Sequence, residues 1–195
     1  MKKTAAALAV LLPVLALAAP TTWKPDVAHS SVGFAVKHLV FSTVKGGFGK
    51  YDATITLDED LTKSSVEATI DATSIDTREP NRDNHLRSPD FFDVAKYPTL
   101  TFKSTKVEKA GADALKVTGE LTIHGVTKPA VLAVTPTPEY KGPKGEARRS
   151  FSATTKINRK DFGLAWNKAL EVGPIVGDEV TIELELETVK EPSKT

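Results

Sequence analysis

The chain contains no cysteine. Disulfide staples, thiolate metal ligands and a cysteine nucleophile are therefore excluded, and so is the N-terminal lipid that anchors a bacterial lipoprotein. Net charge is nearly absent too, with 26 basic residues against 25 acidic ones. Such a balance leaves no electrostatic footprint for nucleic acid and little pull toward an anionic membrane. Aromatic residues make up 7% of the chain, too few for base-stacking platforms. Only one long apolar run exists. It spans Ala5 to Ala18, 14 residues broken by Pro13, and falls short of the roughly 20 residues that a membrane-spanning helix needs.

That run has another purpose. Met1-Lys2-Lys3 precedes it and Ala16-Leu17-Ala18 closes it, the pattern of a secretory signal peptide over residues 1–18, cut after Ala18. The lysine start and alanine-rich core are of bacterial type, so the expected location is the periplasm. About 177 residues remain, with 24 basic against 25 acidic. This is one domain's worth, able to bury about 70% of its unfolded surface without staples. Residues 190–195 read as a polar tail.

The dominant period is two. In Val180 to Glu187 every even position is apolar and every odd one polar, a strand with one dry face. The alternation recurs at Val32/Phe34/Val36, Tyr51/Ala53/Ile55/Leu57, Val66/Ala68/Ile70/Ala72, Leu100/Phe102, Leu115/Val117/Gly119/Leu121/Ile123, Ala130/Leu132/Val134 and Phe151/Ala153/Thr155/Ile157. Eight strands are predicted near 28–40, 47–58, 64–74, 98–108, 114–124, 127–137, 149–159 and 177–189. Turn chemistry separates them: Gly46-Gly47, Asp58-Glu59-Asp60, Ala110 to Asp113, Gly125, and Pro138 to Gly145. Short links make sequence neighbours pair as antiparallel hairpins. A sandwich and a closed up-and-down barrel both satisfy such strands. The short links favour the barrel, and closure removes exposed edges. Eight strands are just wide enough to be filled by side chains or to hold one small ligand. Periodicity does not say which, but the inward residues are apolar.

Two longer insertions interrupt the strands, at 75–97 and 159–176. The first has helical logic near 78–93: Thr77 or Asn81 can cap it, Pro80 suits a first turn, and Asn81 to Arg87 has no β-branched residue. Ser88-Pro89 breaks it, and Phe91-Phe92 must then be buried.

Catalytic and metal motifs are scarce. His29, His38, His85 and His124 form no His-x-His or His-x-x-x-His pair, and no Gly-x-Ser-x-Gly elbow is present. Asp83, His85, Asp90 and Asp93 could supply acid–base groups. On a helix, however, Asp83 and His85 diverge by about 200°. The other reading is that Arg82, Asp83, His85 and Arg87 form the ion pairs and caps that fix the insertion. In "KGGFGKYD", Lys45 to Asp52, the glycines suggest a tight turn and a strand-bending bulge rather than a phosphate loop, because no helix follows.

Four stretches, "DVAHSSVGFAVKHL", "TSIDTREPNRDNHLRSPDFFDVAKYPTLTFKS", "GELTIHGVTKPAVL" and "INRKDFGLAW", together resemble the YceI family over about Trp23 to Glu187. The resemblance implies an all-β, lipocalin-like barrel over 19–189. It also implies periplasmic binding of a polyisoprenoid or similar long-chain amphiphile in a central tunnel, with no catalytic activity. No cofactor is expected beyond that lipid. A polyprenyl tail gains about 0.8 kcal/mol per buried methylene on leaving water. Strands of this length make a barrel roughly 25–30 Å tall. The expected lining is Val32, Phe34, Val36, Ile55, Ile70, Phe102, Leu121, Ile123, Phe151, Ile182 and Leu184, with Phe91, Phe92, Phe162 and Trp166 walling or closing it. Each of these residues could instead be plain core. Three alternatives stay open: a lipid hydrolase or isomerase using the Asp83/His85 region, a stress-response protein whose barrel is simply full, and a homodimer formed through an edge or an open barrel end.

Overall fold

The computed structural model describes residues 19–39, 41–170 and 173–192; residues 1–18, expected from sequence to be a signal peptide, lie outside them. In chain order the elements are β1 (Thr21–Pro25), β2 (Ser31–His38), β3 (Ser42–Phe48), β4 (Tyr51–Leu57), β5 (Ser65–Asp71), β6 (Ile75–Asp76) and α1 (Pro80–Arg87). They continue with β7 (Thr99–Lys109), β8 (Leu115–Ile123), β9 (Val126–Pro136), β10 (Tyr140–Lys141), β11 (Ala147–Asn158), β12 (Ala169–Leu170), β13 (Gly173–Pro174) and β14 (Val176–Lys190).

Three pairs of these strands are bent staves. β1 and β2 both run antiparallel to β14, with Pro25 opposite Thr188 and Ser31 opposite Glu185. Between them Asp26 caps a single 3-10 turn. β4 pairs with β1 and β3 with β2, so β3 and β4 form a second stave that breaks at Gly49-Lys50. β5 and β6 follow them as a third. β7, β8, β9, β11 and β14 complete the ring, and the β11–β14 ladder from Arg148↔Val189 to Asn158↔Glu179 closes it. The result is a closed antiparallel barrel of eight staves, each hydrogen-bonded to its sequence neighbour.

Two details of the sequence reading change. Gly46-Gly47 is not the first turn but lies inside β3, paired with Phe34 and Gly33. The chain instead reverses between the end of β2 at His38 and the start of β3 at Ser42. Gly46 is required by contact rather than by chain reversal, since a Cβ there would sit 2.6 Å from the Phe34 ring and from the Thr77 methyl. Gly46 therefore lets the Phe34 ring lie against β3, and Gly47 makes room for the Val32 carbonyl, 2.9 Å from where its Cβ would stand. The polar tail also starts later than expected, because Lys190 pairs with Trp23 and the Glu191 N–H donates to the Thr22 carbonyl.

The helix forms where expected, with Pro80 in its first turn, but neither Thr77 nor Asn81 caps it. The Glu79 carboxylate does, accepting from the Asn81 and Arg82 amides; an anion there satisfies orphan N–H groups and opposes the helix dipole. Thr77 is used elsewhere. Its N–H and Oγ1 donate to buried Asp83 Oδ1 at 2.9 and 2.5 Å. Arg82 donates from Nε to Thr77 Oγ1 and from Nη2 to the Thr77 carbonyl, each at 2.8 Å. Arg87 bonds the Thr73 and Ile75 carbonyls. These side chains bond mainly backbone and Thr77, not one another; the ion pair is His85–Asp90, at 2.9 Å. The second insertion is pinned by Arg159, 3% exposed. Its guanidinium donates to the carbonyls of Leu164, Trp166, Val176 and Gly177 and reaches Asp178. Burial lowers its pKa, and the Asp178 charge opposes that shift.

Candidate functional site

An apolar channel occupies the middle of the barrel, with about 180 Å³ of free space. Every stave lends inward residues to it. Across the closing ladder Phe151 faces Leu186, Ala153 faces Leu184 and Thr155 faces Ile182. On the other side Ala53 faces Ala68, and Ala68 in turn faces Phe102. Small residues at inward positions of four staves, Ala53, Ala68, Ala130 and Ala153, explain the void. An eight-stranded barrel is nearly filled when its inward side chains are large. These alanines leave room that leucine would take.

Ten of the residues expected from sequence line this channel: Val32, Phe34, Ile55, Ile70, Phe102, Leu121, Ile123, Phe151, Ile182 and Leu184. So do Phe48, Tyr51, Leu57, Val66, Leu100, Val107, Leu115, Val117, Leu132, Val134 and Leu186, which the sequence reading left out of the lining although most stand on the same alternating faces. Tyr51 differs from the rest. Its hydroxyl is buried without a hydrogen-bond partner among the described residues, and burial raises its pKa.

A second chamber of about 200 Å³ lies between the barrel end and α1. Phe34 belongs to both spaces and forms the partition between them. Val36, Phe91 and Trp166 line this second space rather than the channel. The His85 ring stands edge-on to Trp166 at 4.8 Å and to Phe91 at 5.1 Å. Phe92 packs edge-on to Phe48 at 5.9 Å, and Phe162, 2% exposed, is core; neither lines either space. The chamber is mixed in character: Lys37, His38, Thr77, Arg82 and His85 share its wall with Val44, Leu86, Ile175 and Val176, and among the described residues no acidic one lines it. Nothing in the sequence pattern signalled this basic wall, because its members come from β2, α1 and the loop before it.

Asp83 and His85 are not brought together. Asp83 is committed to Thr77, whereas His85 turns to Asp90 and Trp166. The remaining histidines have other settings: His29 bonds Asp26 at 3.0 Å, and His124 sits in the β8–β9 turn against Tyr97. Asp26, His29 and Glu187 do converge, with ligand atoms within 4.8 Å of one another. The Arg148 guanidinium bridges Asp26 and Glu187 and also bonds Glu146, so a cation already sits where a metal would. Asp26 is held below the usual carboxylate range first by His29 and then by Arg148; Glu146 is held low chiefly by Arg148.

The sequence profile of the YceI-like domain matches residues 23–188. The chain belongs to the YceI family. Protein YceI of Escherichia coli O157:H7 is 42% identical over 164 residues, covering 84% of this chain and 83% of that protein. BcnA of Burkholderia cenocepacia superposes with a TM-score of 0.75 at 28% identity, covering 84% of this chain and 98% of BcnA. A polyisoprenoid-binding domain from Saccharophagus degradans superposes with a TM-score of 0.64 at 16% identity, covering 88% and 99%, a likeness of fold. This YceI-family barrel also has no helix, among the described residues, long and apolar enough to cross a membrane.

Proposed function

We propose that the protein is a periplasmic carrier that holds a polyisoprenoid or similar long-chain amphiphile. The apolar chain lies in the barrel channel, and the polar end lies in the chamber under α1. The carrying observation is the closed channel, whose wall is apolar from stave to stave. Such a space offers an oxygen-rich group nothing, but gives an alkyl chain about 0.8 kcal/mol per methylene removed from water. The chamber beyond Phe34 adds polar groups to an apolar wall. Arg82 is pre-oriented there by Thr77, with His85, His38 and Lys37 around it. That set suits a phosphate or carbonyl-bearing end. The name of the Saccharophagus neighbour and the family membership support the same ligand class. The signal-peptide pattern supports the location.

A lipid-modifying enzyme built on Asp83 and His85 has no support in the geometry, since each is held by a different partner. The test is mass spectrometry of the organic extract from protein purified without detergent from its native periplasm. A stoichiometric prenyl lipid is the expected result. An empty extract, with no uptake of added polyprenyl phosphate or prenyl quinone, would overturn the carrier reading.

A further inference from the structure

Two apolar side chains stand exposed at the barrel end that holds the second chamber. Phe41, in the β2–β3 turn, is 78% exposed, and Leu170, in the β12–β13 hairpin, is 50% exposed. The loops are tied together at their bases. The Leu39 N–H donates to the Ile175 carbonyl and the Ile175 N–H to the Lys168 carbonyl, each at 3.0 Å, and His38 pairs with Val176. The same segments form the chamber wall through Val36, Val44, Ile175 and Val176. Lys37 and Lys168, four and two residues before Phe41 and Leu170, are exposed.

A phenyl and an isobutyl group so exposed gain nothing from the fold of the monomer. Exposed apolar side chains with a lysine near each in sequence fit the interface of an anionic bilayer, where the apolar groups enter the acyl boundary and the ammonium groups meet lipid phosphates. We infer that this end of the barrel docks on an anionic lipid bilayer through Phe41 and Leu170, so that an amphiphile passes from the bilayer into the chamber without crossing water. The inference rests on the carrier reading and adds its partner surface. Other exposed apolar residues, Val27 in the 3-10 turn, Val131 in β9 and Tyr140 in β10, stand on elements that do not line the chamber.

The test uses the lipid-free mature chain and a fluorescent polyprenyl phosphate, offered either in phosphatidylethanolamine–phosphatidylglycerol vesicles or from ethanol. The double variant Phe41→Ser/Leu170→Ser should extract the probe from vesicles about tenfold or more slowly, given the apolar area withdrawn from the interface. It should still take up probe from ethanol like the parent. Lys168→Glu, at a residue that lines neither space, should slow extraction from these vesicles but not from pure phosphatidylcholine. Val131→Ser should change nothing. Equal extraction rates for parent and Phe41→Ser/Leu170→Ser, or equal slowing by Val131→Ser, would overturn docking at this end while leaving the carrier intact. Failure of the parent to take up probe even from ethanol would overturn the carrier reading, and docking with it.

Discussion

Ala53→Phe puts the channel to its most direct test. Ala53 is 5% exposed and points inward opposite Ala68. The free space is about 180 Å³, and a cavity of about 150 Å³ accepts one benzene. A single added phenyl therefore takes most of the room. A bound chain loses space for about five carbons, roughly 4 kcal/mol at 0.8 kcal/mol per methylene. At 1.4 kcal/mol per decade, Kd for a polyprenyl ligand should rise about a thousandfold. Stability should move the other way or stay level, because filling a void recovers contacts at about 24 cal/mol per Å³. If the barrel were already full, the ring would overpack it at about 1–3 kcal/mol, lowering Tm by roughly 2–12 °C for a domain this size. Tryptophan-quenching titration gives Kd and calorimetry of the lipid-free protein gives Tm. A Kd within threefold of the parent would refute a channel-bound chain, and a lowered Tm would refute the void. Ala68→Phe, from the neighbouring stave, should reproduce both effects.

Three further outcomes follow from the braces of the fold. Asp83→Ala leaves the Thr77 N–H without its acceptor in a buried setting; it should destabilise by about 2–3 kcal/mol in chemical unfolding, and a loss below 0.5 kcal/mol would contradict the bracing role. Arg159→Met strips four carbonyls of their donor and should cost about 3–5 kcal/mol, with Arg159→Lys restoring little because an ammonium cannot reproduce the fork. Asp26 and Glu146 have folded pKa values below their ordinary 3.8 and 4.5, so their contribution is full above about pH 4.5 and is lost as pH falls through the lower folded values. Arg148→Met should therefore flatten the acid limb of the stability curve; an unchanged limb would show that the cluster contributes nothing.

The barrel was legible because one face of every strand is dry, and a period of two survives any tertiary detail. The ladder from Val180 to Glu187 shows this best, since its even residues line or back the channel as the alternation requires. The strand bends were not legible. Gly46-Gly47 carries turn chemistry, yet Gly46 serves the Phe34 ring and Gly47 the Val32 carbonyl, and only the paired backbone of β2 and β3 distinguishes these roles from a turn. Glu79 as cap was missed because Thr77, the better capping type, is committed to Asp83 by contacts formed on folding.

Composition alone excluded disulfides and thiolate chemistry, and alternation alone determined all-β architecture with an apolar interior, since both are properties of residue type and order. Whether that interior is hollow was decided by the tertiary structure. Volume depends on which inward residues share the lumen, and alanines from four staves line it. The basic chamber beneath α1 and the exposed pair Phe41 and Leu170 were likewise decided by folding, because they join residues more than a hundred positions apart that no local pattern relates.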